Sequence, residues 1–74
     1  MPMLVTKIRE YRTKFGISQE QLAERVGVRR ETIVHLENGR YNPSLKLAMD
    51  IAHVFQQPVE ELFRFIEKEE GREA

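Results

Sequence analysis

The amino-acid sequence predicts an all-α fold of five short helices, with a small two-stranded antiparallel sheet formed by its two ends. Three observations carry this expectation. Apolar residues recur three and four positions apart through most of the chain, the period of a helix buried on one side. Gly16, Gly27, Gly39, Pro43 and Pro58 cut that pattern into short segments. The 74 residues include no cysteine, so neither a disulfide framework nor a thiolate metal site can hold the fold together. Stability must come from helix packing or from a partner subunit.

The elements follow in order. Met3-Leu4-Val5 is β-prone by composition. Ile8, Tyr11, Arg12 and Phe15 form one stripe of a first helix, which Gly16 stops. Ser18 caps a second helix from Gln19 to Val26, and Gln21 at its third position completes a capping box. Ile17 and Leu22 have the spacing of a hydrophobic staple, and Leu22, Ala23 and Val26 face inward. Gly27 ends this helix. After Val28 a third runs from about Arg29 to Asn38, with Ile33 and Leu36 inward and Gly39 as terminator.

The loop Arg40-Tyr41-Asn42-Pro43 leads to Ser44, an N-cap for a fourth helix that extends to about Phe55. It buries Leu47, Ala48, Ile51, Ala52 and Phe55. Gln57-Pro58 breaks it, and Pro58, Glu60 and Glu61 suit the first turn of a short fifth helix ending near Phe63. Leu62-Phe63-Arg64-Phe65-Ile66 partly alternates and is β-prone, so it is expected to pair with Met3-Leu4-Val5. Residues 1–69 read as one domain, and residues 70–74 as a disordered tail.

The formal net charge is zero, but the charge is unevenly placed. Between Lys7 and Lys46 nine basic residues face five acidic ones, a balance of +4. From Glu60 onward six glutamates face three basic residues, a balance of −3, and Asp50 supplies the remaining unit. A basic body with an acidic end suggests an anionic partner for one face, although a charge run is most often only a solvated surface. No apolar run is long enough to cross a membrane, and no signal-peptide pattern is present, so a cytoplasmic protein is expected. Catalysis has no foothold. There is no nucleophile with a positioned histidine and acid, no glycine-rich phosphate loop and no evident carboxylate pair, and no cofactor is expected. His35 and His53 have no ligand spacing, so no metal is expected either.

The functional signal is two short helices joined by a tight glycine turn. Such helices approach at a steep angle only if the crossing residue is small, which Ala23 satisfies, and Gly27 lets the chain reverse by taking positive φ. Val26, Val28, Ile33 and Leu36 then seal the pair, leaving Glu31, Val34, His35 and Asn38 on the outer face of the third helix and Arg30 at its flank.

Ser18-Gln19 before Leu22-Ala23, then Gly27-Val28, Ile33 and Leu36-Glu37-Asn38-Gly39, resemble the Cro/repressor-type helix-turn-helix regulators, also called the xenobiotic-response-element family. The resemblance covers about Ile8 to Phe63, with the motif itself at about 19–38. It implies a lambda-repressor-like DNA-binding domain, prokaryotic or from a phage, nucleoid-associated and acting as a homodimer on a palindromic operator. In that family the second motif helix lies in the major groove. The resemblance implies that Gln19 touches a phosphate and that Arg30, Glu31 and His35 read bases. It also implies that Thr32, Asn38, Arg40 and Tyr41 hold the DNA backbone. The chemistry fits: Arg30 can pair with guanine, Glu31 can accept from cytosine, His35 can donate to a purine N7 and Val34 can pack on a thymine methyl. Arg12 and Glu37 are implied to form a buried ion pair tying the first helix to the motif.

This sequence departs from the family at Arg29, where a serine or threonine cap is usual. The loss costs about 1 kcal/mol, and a cation sits near a positive helix end. Arg29 therefore reads as a phosphate or base contact that offsets the cost on DNA. Leu62, Phe63, Phe65 and Ile66 are more apolar surface than so small a monomer easily hides, and they are the expected dimer interface. Double-stranded DNA and a second copy are the expected partners. Two alternatives remain beside a dimeric repressor: an antitoxin-type autorepressor that also binds a toxin protein, and a protein-interaction adaptor using this fold without DNA.

Overall fold

A computed structural model describes residues 2–67, so the expected disordered tail lies outside the described residues. The chain runs β1 (Pro2–Thr6), α1 (Ile8–Phe15), α2 (Gln19–Val26), α3 (Arg30–Glu37), α4 (Leu45–Phe55), α5 (Val59–Leu62) and β2 (Phe63–Glu67). Five helices and a two-stranded antiparallel sheet are present, as the sequence predicts. Arg29 stands at the N-cap of α3, the position that the family pattern gives it, Asn38 caps the far end of that helix rather than belonging to it, and Pro58 caps α5 rather than entering it.

The core is formed where α1 to α5 meet. Ile8, Leu22, Ile33, Leu36, Ile51, Phe55 and Leu62 are its largest fully buried side chains. Phe55 is the meeting point of α1 and α4: the ring of Phe15 packs edge-on at 5.2 Å between centroids and that of Tyr11 tilts at 5.9 Å. Tyr11 also ties α1 to α5, its hydroxyl donating to Glu61 Oε2 at 2.9 Å. That bond to a carboxylate raises the Tyr11 pKa, and the same bond, with help from Lys7, lowers that of Glu61.

The sheet pairs Thr6 with Phe63, Leu4 with Phe65 and Met3 with Ile66. Lys7 N–H donates to the Leu62 carbonyl at 2.9 Å, closing the corner where α5 passes into β2. Partners across an antiparallel pair share a face and successive residues alternate. Leu4 is buried, so Phe63 and Phe65 share its face, whereas Met3 and Ile66 are exposed on the other. These placements divide the four residues expected at an interface. Leu62 is only 1% exposed and packs in the core, and Ile66 lies on the face of the sheet opposite Phe63 and Phe65.

Left-handed backbone closes four helix ends, at Gly16, Gly27, Gly39 and Gln56, and the last two differ most from each other. After α3, Gly39 takes φ +71°; its N–H donates to the Leu36 carbonyl at 3.1 Å and the Arg40 N–H to the His35 carbonyl at 2.9 Å. This Schellman closure satisfies the last carbonyls of the helix. After α4 the same role falls to Gln56 at φ +55°, with Gln57 N–H donating to Ala52 O at 3.0 Å. No glycine marks that turn, so the sequence shows the break only through Gln57-Pro58 one residue later.

Candidate nucleic-acid interface

The helix-turn-helix is α2, the Gly27-Val28-Arg29 turn, and α3. Both halves of the capping box that opens α2 are made: Gln21 N–H donates to Ser18 Oγ at 3.0 Å and Ser18 N–H to Gln21 Oε1 at 2.8 Å. Ala23 is buried between the two helices, where a larger side chain would force them apart. α3 begins without a side-chain cap. Arg29 has the extended φ and ψ of an N-cap but makes no capping bond, and only its carbonyl serves the helix, accepting from Thr32 N–H at 3.0 Å.

Ile33 and Leu36 anchor α3 in the core, which turns the opposite face outward. Arg29, Arg30, Glu31, His35 and Asn38 are exposed, Thr32 and Val34 are partly covered, and Arg40 and Tyr41 stand exposed in the loop beyond α3. Arg29 to Asn38 therefore lie along one accessible helix, with Arg40 and Tyr41 at its far end.

Glu37 faces inward, its side chain only 1% exposed. Arg12 Nε donates to Glu37 Oε2 at 2.6 Å and Arg12 Nη2 to Glu37 Oε1 at 3.2 Å, a two-pronged bond, while Gln19 Nε2 donates to Oε1 at 3.1 Å. Arg12 Nη1 donates in addition to the Ile17 carbonyl at 3.2 Å. One carboxylate thus binds α1, the start of α2 and the end of α3 together. Burial pushes the Glu37 carboxyl up, but the bonds from Arg12 and Gln19 and the charges of Arg12 and Arg9 outweigh it and hold the group below the usual carboxylate range. Gln19 differs from the phosphate-contact reading in one respect: its side-chain amide is spent on Glu37.

Arg9 and Glu20, to which the residue pattern assigned no role, lie beside this cluster. Arg9 Nε is 3.6 Å from Glu37 Oε1, and Arg9, Arg12, Ser18, Gln19, Glu20 and Arg30 line a groove of 490 Å³ between α1 and the motif. Arg9 stands three residues before Arg12, one helical turn away, and that spacing was the available signal. Among the described residues no three histidine, cysteine or acidic side chains cluster to hold a metal. No helix among them is long and apolar enough to cross a membrane.

Comparison with known proteins agrees with this geometry. The helix-turn-helix family profile matches residues 8–62. An uncharacterized HTH-type transcriptional regulator of Archaeoglobus fulgidus is 62% identical over 64 residues, which cover 86% of this chain and 90% of that one. The cryptic phage CTXphi transcriptional repressor RstR of Vibrio cholerae is 32% identical over 60 residues, 81% of this chain and 54% of its own. The crystal structure of the restriction-modification controller protein C.AhdI from Aeromonas hydrophila superposes with a TM-score of 0.68 at 34% identity, covering 74% of this chain and 83% of that one. The chain belongs to the Cro/repressor-type helix-turn-helix family of transcriptional regulators, whose DNA-binding fold it carries and which are not enzymes.

Proposed function

We propose that this regulator represses transcription as a homodimer on a palindromic operator, placing α3 of each protomer in the major groove. The observation that carries this reading is the outer face of α3, where Arg30, Glu31 and His35 are exposed together on a helix anchored by Ile33 and Leu36. Arg30, Glu31 and His35 read bases, and Val34 packs on a thymine methyl. Arg29, Thr32, Asn38, Arg40 and Tyr41 hold phosphates. At Gln19 a phosphate contact falls to the main-chain N–H, since the side chain serves Glu37. The repressor role is supported by the naming of RstR as a transcriptional repressor.

A second copy doubles the bases read, because one recognition helix covers only a few base pairs. The surface best suited to it differs from the stretch the sequence suggested. Leu45 is 71% exposed, Met49 53% and Phe65 59%. Leu45 and Phe65 border one groove of 320 Å³ with Leu4, Pro43, Val59 and Phe63, and Met49 follows Leu45 by one turn of α4. So much clustered apolar surface fits a subunit contact. Phe65→Asp, which puts an unpaired charge into that contact, should sediment as a monomer at micromolar concentration. A variant that remains dimeric places the interface elsewhere.

Selection of bound sequences from random duplex DNA tests the whole reading. Two inverted half-sites about 10 base pairs apart are expected, and no enrichment, or an unsymmetrical site, overturns it. On the selected operator Arg30→Ala should cost about 1–3 kcal/mol and relax preference at one symmetric position. Arg40→Ala should weaken all duplexes alike and reduce the salt slope by roughly one unit. Uniform loss in both variants would remove the division between reading and holding residues.

A further inference from the structure

Glu37 already accepts three hydrogen bonds, two from Arg12 and one from Gln19, and none of them comes from Arg9. Arg9 Nε lies 3.6 Å from the carboxylate, within Coulomb range only, and its side chain is 67% exposed. Its guanidinium is therefore a surplus charge on the rim of the 490 Å³ groove, which runs from α1 past the start of α2 to Arg30 on the recognition helix. Three arginines and one acid, Glu20, are the charged side chains lining it. Arg12 is consumed by Glu37, so the cations available to a ligand in the groove are Arg9 and Arg30.

We infer that Arg9 is an additional DNA-positioning residue, whose guanidinium binds a backbone phosphate seated in the groove between α1 and α3. This rests on the DNA-binding reading above and adds to it a contact from outside the helix-turn-helix. The chemistry favours it over a purely internal role. A guanidinium presents five N–H donors in a fork that matches phosphate oxygens, and Arg9 donates none of them to another described residue. Turning toward a phosphate costs Arg9 no hydrogen bond and leaves the Arg12–Glu37 bond in place. Glu20 opposes the phosphate from the other wall. A contact of this kind carries no sequence information and instead fixes the register in which α3 enters the groove.

The test measures binding of wild-type protein, Arg9→Ala, Arg9→Lys and Glu20→Gln to a random-sequence duplex and to a selected duplex. Each is followed by fluorescence anisotropy between about 50 and 200 mM salt. Arg9→Ala should lower the slope of log K against log salt by about 0.9, the value of one phosphate contact. It should weaken both duplexes by the same factor and shift the thermal midpoint only slightly, since the Coulomb contact of the exposed Arg9 with Glu37 is a minor one. Arg9→Lys should keep the slope, and Glu20→Gln should tighten binding to both duplexes. An Arg9→Ala slope equal to that of wild type overturns the inference, and where it comes with a markedly lowered midpoint it makes Arg9 a structural partner of Glu37 instead. Wild-type protein whose binding to either duplex does not depend on salt overturns the DNA-binding reading itself, and the same series distinguishes that outcome.

Discussion

Glu37→Ala should lower stability by about 3–5 kcal/mol, in the absence of DNA, because it leaves the largely buried Arg12 guanidinium without its carboxylate. In so small a domain a loss of that size moves the thermal midpoint by well over about 10 °C. The partner bonds fail together: Gln19 Nε2 loses its acceptor, and α1, α2 and α3 lose the carboxylate whose hydrogen bonds link them. Arg12→Ala/Glu37→Ala should be milder than the sum of the single variants, since no buried charge is left behind; strictly additive losses in a thermal-melt cycle would contradict this. The pair also predicts an acid limb. The Glu37 pKa is lowered in the folded chain, so its contribution is complete above the ordinary carboxylate pKa and is lost as pH falls through the lower folded value. Glu37→Gln should flatten the decline in stability below about pH 4 that wild-type protein shows. A decline of equal steepness in both would assign it to other carboxylates.

Gly39→Ala should be the most damaging of the helix-ending glycine substitutions. At φ +71° any side chain costs about 1–2 kcal/mol. At Gly16 and Gly27 that cost stands alone, because an added Cβ would meet nothing within 4 Å. At Gly39 it would stand 2.5 Å from the Leu4 carbonyl oxygen, a backbone atom of β1 that cannot swing aside. Either the strand or the end of α3 must move, which adds about 1–3 kcal/mol of the kind seen in overpacked cores. Because Leu4 pairs with Phe65, the displacement should reach the proposed subunit surface, so Gly39→Ala should also weaken dimerisation although it touches no interface residue. Equal melting of the Gly16→Ala, Gly27→Ala and Gly39→Ala variants would show that β1 yields freely there.

The helices, their caps and the outward face of α3 were legible in the residues themselves. Ser18 with Gln21 and Gly27 bound α2 because each cap acts within four residues of the backbone group it satisfies. Ile33 and Leu36 assign the buried side of α3 by helical period alone, which places Arg30, Glu31 and His35 outward. Where one local signal was missing, as at Gln56, the exact end of the helix was not readable, although the following Gln57-Pro58 still announced a break.

Tertiary structure decided everything that depends on which faces meet across the chain. An apolar run such as Leu62 to Ile66 has the same composition whether it covers a core or a partner. Only the packing of α5 into the core sends Leu62 inward, and only the register of β2 against β1 sends Phe65 to the groove beside Leu45 and Ile66 to the far side. The family resemblance named Arg12 and Glu37 as a pair, but only the packing of α3 against α1 gives that pair its two-pronged geometry and leaves Arg9 at the groove rim. Capping and helical period are set between residues a turn apart, so a sequence carries them openly. Pairing between distant residues is selected by burial of the whole fold, and no short stretch of sequence encodes it.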